Sequence, residues 1–286
     1  MKRPVPFACQ ERIVAHNLGI LAGDGELPLR LVEVCRATGR KVFVVAFNGE
    51  SNPECVRDVP HIWLDVGSVG TTLKALKEAG CEDVVLAGPI RRPKLTSLKL
   101  DGRGAAMLPK LLRARGDNAL LTVVIGVLEG EGFNVVGADD VFSDLLVGDG
   151  ILSDRHPDDG EWADIARGVE VVKAVGQIDV GQAAVVHRGY ILGIEAAEGT
   201  DALIDRSATL RREKQGGVLV KLRKPMQDRR ADLPTIGIGT INHAKTAQLA
   251  GIAVESGETL ILNRDDVIES INSANLFLVG VSASAS

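Results

Sequence analysis

The chain has 286 residues, 45% hydrophobic and 25% charged, a globular composition with room for two domains or one large one. Its 33 basic and 38 acidic side chains leave a net charge of −5, and only 3% of residues are aromatic. There is neither a global basic field nor a set of stacking platforms, so no nucleic-acid partner is expected.

Cys9, Cys35, Cys55 and Cys81 form no C-x-x-C pair, which points to a reducing compartment without structural zinc. The opening MKRPVPFACQERIVAHN carries prolines and charges in place of the apolar centre of a signal peptide. The longest apolar run, ALLTVVIGVL at 119–128, is ten residues. A spanning helix needs about 20, so this run reads as a buried helix of a cytosolic protein, one still able to touch a membrane face.

In chain order, NLGILAG reads as a strand, PLRLVEVCRAT as a helix, and KVFVVAF and IWLDV as strands. SVGTTLKALKEAG is a helix ended by Gly80, and DVVLAG is a further strand. That alternation predicts a parallel sheet with covering helices. A basic, leucine-bearing stretch and an apolar helix near 117–130 follow.

The pattern changes at FNVVGADDVFSDLLVGDGILSD, whose glycines and aspartates suit a hinge. The second half opens with the helix EWADIARGVEVVKAV. QAAVVH, Arg188-Gly189 and YILGIE then read as a hairpin, and AVES, Gly257 and ETLIL as a second one. The expected fold class is α/β with two α/β domains. Residues 1–136 form a Rossmann-like parallel sheet on the nucleotide or diphosphate side. Residues 137–286 form a mixed-sheet domain with the catalytic carboxylates, and the active site lies in the cleft between them.

Five segments could carry chemistry. GDGELP follows the first strand: Gly23 and Gly25 would let backbone N–H groups approach an anion, Asp24 lies between them, and Pro28 suits a helix start. A dinucleotide fingerprint would want a third glycine at Pro28 and an acid after the next strand, so nicotinamide binding is poorly supported; an ordinary glycine turn is the alternative. Residues 91–115 hold eight basic side chains against Asp101, suiting an anionic partner or a solvated face. Arg91 lies just past Gly88 at a strand end, where ligands of parallel sheets gather. In GDNALL, capping by Asp117 or Asn118 is the reading.

GIEAAEGTDALIDR spaces Glu195, Glu198 and Asp201 three apart across a strand end and helix start. Such carboxylates repel unless a cation or donors sit between them. Hard oxygen ligands without histidine or cysteine suit Mg²⁺ or Mn²⁺; solvated glutamates with an N-cap at Thr200 or Asp201 are the alternative. KLRKPMQDRRADLPTIG brackets a turn between Pro225 and Pro234. Lys224 is a point charge for phosphate, Gln227 a donor and acceptor, and Asp228 and Asp232 carboxylates for a metal. Of Arg223, Arg229 and Arg230, at least one is expected merely to face solvent. Phosphate cations beside metal carboxylates compose a phosphoryl- or nucleotidyl-transfer centre, against a surface salt-bridge knot. The five dispersed histidines and the absence of G-x-S-x-G give no support to covalent catalysis.

LGILAGDGELP, AGPIRRP, VVGADDV, GQAAVVHRGYILGIEAAEGTDALIDR and KLRKPMQDRRADLPTIG, in this order from about residue 17 to 280, resemble the UDP-2,3-diacylglucosamine pyrophosphatase family of the LpxI type. The resemblance implies a Mg²⁺-dependent hydrolase of lipid A biosynthesis. It would release UMP and lipid X from an acylated nucleotide sugar at the cytosolic face of the inner membrane, as a peripheral protein; a homo-oligomer is allowed for. It makes Lys224, Gln227 and Asp228 catalytic, and Glu195, Glu198, Asp201, Asp228 and Asp232 metal ligands. Gly23, Asp24, Gly25, Pro28, Gly88, Arg91, Gly199 and Thr200 would hold substrate. Leucines of 95–112 or the facing domain surface would take the acyl chains. Asn118 stands where the family pattern suggests an acid and receives no metal role. A nucleotide or lipid carrier without turnover is the alternative, and a nicotinamide oxidoreductase a remote third. Two domains sharing a site should close on substrate.

Overall fold

Short runs rich in valine, isoleucine and leucine, unbroken by polar residues, make strands that are buried on both faces. A computed structural model shows these assembled into two large sheets and a two-stranded ribbon; it describes residues 16–91, 99–113, 117–211, 213–231 and 233–282.

The first sheet is built from β1 (Leu18–Ala22), β2 (Val42–Phe47), β3 (His61–Leu64), β4 (Asp83–Ala87) and β5 (Asn134–Val135), in the order β3-β2-β1-β4-β5. All four pairings are parallel. Helices α1 (Leu27–Thr38), α2 (Val69–Glu78), α3 (Gly102–Arg113) and α4 (Asp117–Gly130) accompany it. Gly39 ends α1 in the left-handed conformation at φ 73°, returning its N–H to the last turn. One face of this sheet buries Ile20, Leu31, Val44 and Val85, the other Val45, Leu73, Leu76 and Val84. The chain runs left from β1 to β3 and then crosses to β4, so the topological switch point lies between β1 and β4.

After α5 (Ala138–Val141) and β6 (Gly150–Ile151) comes α6 (Asp159–Gln177). Asp158 caps α6 by accepting from the Glu161 N–H, and Glu161 reaches back to the Asp158 N–H, a reciprocal pair that fixes this helix start. The second sheet contains β7 (Ala183–His187), β8 (Tyr190–Ile194), β9 (Val218–Lys221), β11 (Gly251–Glu255) and β13 (Phe277–Val281), in the order β6-β13-β11-β9-β7-β8. Its centre, β9-β11-β13, is parallel, and β6 and β7 are antiparallel additions. Helices α7 (Thr200–Ala208), α8 (Ile238–Thr246) and α9 (Arg264–Ser273) cover it, and β10 (Thr235–Ile236) pairs with β12 (Leu260–Ile261) in a separate parallel ribbon.

The β7–β8 hairpin forms as its sequence indicates. Arg188 and Gly189 both take positive φ, 49° and 79°, the turn that matches strand twist. The buried Asp164 carboxylate of α6 accepts from both of their N–H groups, at 2.8 and 2.6 Å. The second expected hairpin does not form. The Gly257 N–H bonds Val147 O, so the chain leaves the sheet and β12 pairs with β10 rather than β11. Helix α4 also differs from the buried helix expected: only Ile125 and Leu128 are fully buried, because one side lies on the sheet and the others stay half-open. No helix among the described residues is long and apolar enough to cross a membrane.

Candidate active site

At the switch point the loops after β1 and β4 lie against each other. Gly23 N–H bonds Ala87 O at 2.7 Å and Asp24 N–H bonds Pro89 O at 2.8 Å. A Cβ at Gly23 would stand 2.4 Å from Gly88 O, and one at Gly88 2.1 Å from Asp24 O. The glycines are therefore demanded by loop-to-loop approach. The Gly25 N–H is taken by the Asp24 carboxylate at 2.8 Å. In this conformation, then, the three N–H groups expected to cradle an anion are already spent within the protein. Pro28 sits in the first turn of α1. Arg91 extends from the same edge with an 81% exposed side chain, tethered to Glu50 and to Gly49 O.

In the second sheet, Glu195 directly follows β8 and is 6% exposed. Its carboxylate accepts from the Thr200 hydroxyl at 2.6 Å and the Gln182 N–H at 2.9 Å. Thr200 spends its hydroxyl on that bond, and Gly199 precedes it at φ 82° as the N-cap of α7. Glu198 pairs with Arg206 at 2.7 Å. Its own backbone N–H, and then Arg206, hold its carboxyl below the usual range. Asp201 faces His243, 3.9 Å away, while His243 hydrogen-bonds Asp205 at 2.8 Å; the Asp205 bond pushes its imidazole up. The cations and donors that three neighbouring carboxylates require are thus supplied by the protein itself.

The turn after β9 is arranged differently. Lys224 Nζ bonds Asp179 Oδ1 at 2.6 Å, and Gln227, 6% exposed, accepts from the Lys224 N–H at 3.3 Å. None of the three arginines merely faces solvent. Arg223 pairs with Glu258 at 2.8 Å, Arg229 with Asp139 and Glu258 at 2.9 and 2.6 Å, and Arg230 with Glu129 and Asp228 at 2.6 and 2.9 Å. Asp232 lies outside the described residues.

Asp228 Oδ1 accepts from the Arg230 N–H and Nε, and Oδ2 from Arg230 Nη2. The Arg230 side chain holds the Asp228 carboxyl below the usual range. An ionised carboxylate offers about four acceptor positions. Three are taken, which leaves one on Oδ2 for a water or a cation.

This turn meets the first half of the chain. Asn118 on α4 donates to Met226 O and accepts from the Asp228 N–H at 3.2 Å, so it is no cap. Glu129, on the same helix, reaches Arg230, and Asp139, at the start of α5, reaches Arg229. Glu129 and Asp139 escaped the sequence reading, which took Asn118 only as a candidate cap. Asn118 and Glu129, eleven positions apart, share one stripe of a mainly apolar helix, which was the available signal.

Among the described residues no group of three or more His, Cys, Asp and Glu side chains is arranged to hold a metal. The carboxylates at β8–α7 are not gathered with Asp228. Mg²⁺ commonly takes only one or two carboxylates together with substrate phosphates and water, and the open position on Asp228 fits that kind of site. The described cysteines are inert: burial raises the thiols of Cys35 and Cys55, and Cys81 to about 11.

A parallel N-terminal sheet with a loop-lined switch point, and a mixed C-terminal sheet meeting it through a charged turn, define a two-domain α/β protein. The chain belongs to the LpxI family: residues 17–145 match the model of the LpxI N-terminal domain and residues 148–279 that of the LpxI C-terminal domain. It is 40% identical over 274 residues to the UDP-2,3-diacylglucosamine pyrophosphatase LpxI of Caulobacter vibrioides, covering 93% of this chain and 98% of that protein. Solved structures resemble it only distantly. The biotin carboxylase domain of a thermophilic 2-oxoglutarate carboxylase reaches a TM-score of 0.26 at 13% identity, with 59% of this chain and 34% of that one covered. N5-carboxyaminoimidazole synthase from Aspergillus clavatus reaches 0.25 at 10% identity, with 70% and 45% covered. Likenesses at that level carry no argument about this chain.

Proposed function

We propose that the protein hydrolyses the pyrophosphate bond of UDP-2,3-diacylglucosamine, releasing UMP and 2,3-diacylglucosamine 1-phosphate (lipid X), a step of lipid A biosynthesis. The 40% identity to the Caulobacter vibrioides pyrophosphatase, extending over nearly the whole of both chains, carries this reading. The seam chemistry supports it. Asp228 is ionised and retains one acceptor position, so it accepts a hydrogen bond from the attacking water or ligates a cation, and does not act as an acid. Water adds its oxygen to one phosphorus, the bridging P–O bond breaks, and the departing phosphate gains charge that nearby cations must offset. Lys224 exchanges Asp179 for a phosphate oxygen, and Arg91 extends a second cation from the opposite domain. Gln227, buried beside Lys224, fixes the turn that carries both Lys224 and Asp228.

Mg²⁺, or Mn²⁺, would be held by Asp228 with substrate oxygens and would neutralise the diphosphate as a Lewis acid. The enzyme would act as a peripheral protein at the cytosolic face of the inner membrane, where an acylated substrate resides. Incubation with UDP-2,3-diacylglucosamine and Mg²⁺ should release UMP, and EDTA should abolish the release. Tight binding without any UMP would replace the hydrolase by a carrier, and turnover in EDTA would remove the metal from the scheme.

A further inference from the structure

The turn bearing Asp228 belongs to the C-terminal domain, yet the N-terminal domain, which the family match carries to residue 145 and so past the expected break at 136, holds it at three points. Asn118 takes the backbone at Met226 and Asp228, Glu129 takes Arg230, and Asp139 takes Arg229. The two adjacent arginines diverge to different elements, α4 and the start of α5. Each also has an anchor in its own domain: Arg230 forks onto both oxygens of Asp228, and Arg229 holds Glu258 at 2.6 Å and Gly257 O at 2.9 Å.

The chain Glu129–Arg230–Asp228 is thus continuous, with contacts of 2.6 and 2.9 Å. Arginine suits this task because its planar fork has donors for two carboxylates at once, which an ammonium point charge cannot orient. Asp139 supplies an independent sign. Its side chain is 8% exposed and its Oδ1 is buried without a hydrogen-bond partner. A half-satisfied carboxylate in a domain seam costs stability, and its visible return is the placement of Arg229. The VVGADDV motif, otherwise without a role, contains this residue.

Resting on the hydrolase reading above, we propose that Glu129 and Asp139 are positioning residues for Asp228. Acting through Arg230 and Arg229, they hold the turn so that the carboxylate is set only when the two domains are apposed. The domain that carries the switch-point loops therefore controls the geometry of a group it does not itself carry.

The test uses the full chain with Glu129→Gln, Asp139→Asn and the double variant, none of which changes side-chain size. Two quantities are read: kcat and KM for UMP release at saturating Mg²⁺, and hydrogen exchange of the 224–231 amides without substrate. Each single variant should lose ~10-fold in kcat with KM within about twofold, and the double variant less than the product of the two, because both act on one turn. Exchange at 224–231 should quicken ~10-fold while that of β9 and β11 stays unchanged.

Wild-type kcat in the double variant overturns the proposal. So does a loss of rate with unchanged exchange, since the effect would then bypass the turn. If the unmodified protein releases no UMP, the hydrolase reading fails, and the exchange measurement alone decides whether the two acids hold the turn. Should Asp139→Asn fail to fold, Arg229→Lys, which keeps the charge but loses the fork, gives the same readings.

Discussion

Two clusters in the C-terminal domain crowd charge together: acids outnumber bases at the β8–α7 junction, and bases outnumber acids in the turn after β9. At the first, every neutralising group comes from the same domain: Thr200, Gln182, Arg206 and His243. At the second, Glu129, Asp139 and Asn118 come from the other domain. A cluster balanced within one domain is settled once that domain folds. One balanced across a seam can be rearranged by domain movement or by an arriving anion. Where the counter-charge originates therefore separates a structural cluster from a candidate reactive one better than the charges themselves do.

The contrast breaks first at Asp228. Asp228→Ala should fold normally and lose at least ~10²-fold in kcat, the scale of removing one positioned charge-stabilising group. Wild-type turnover at saturating Mg²⁺ would make the two clusters equivalent. Next, Glu195→Ala strands the Thr200 hydroxyl and the Gln182 N–H, an expected loss of about 1–3 kcal/mol seen as a lowered Tm, with kcat of the folded enzyme within about threefold. Lost activity at an unchanged Tm would instead return Glu195 to the metal.

Glu198→Gln, at an exposed ion pair, should change both Tm and kcat little, kcat by less than about twofold. The smallest effect is at His243. Its folded pKa lies above the ordinary value of about 6.5, so its stabilisation is complete below that pH and fades as pH rises through the folded value. The Tm gap between the unmodified protein and His243→Gln should be widest near pH 5.5 and close at higher pH. A gap that widens with pH would show that Asp205 and Asp201 are not what holds the imidazolium.

Local signals carried the fold well. Periodicity and β-branched runs located β1, β2, β4, α1 and α2, and the Arg188-Gly189 turn announced its hairpin. ETLIL misled because a two-residue strand shows no difference in sequence between pairing back on β11 and pairing with distant β10. ALLTVVIGVL misled because apolar composition does not reveal which flank of a helix lies on a sheet. At the candidate site the turn after β9 was legible from its charge and prolines, but its partners were not. Arg229 and Asp139 are 90 positions apart and Arg230 and Glu129 101, so no spacing rule connects them. The Glu195, Glu198 and Asp201 spacing pointed to a cation because Arg206 and His243 become neighbours only on folding.

Leu233, Leu260 and Leu262, all from the C-terminal half, belong to the same buried cluster as Leu31, Ala138 and Leu145. An excursion that parts the halves wets this grease, at about 1.5–3 kcal/mol for each leucine fully uncovered. The hinge is therefore sprung shut by oil rather than by charge alone. Residues 17–145 produced without the remainder would expose a raw apolar face, so the N-terminal half should be sticky when cut free.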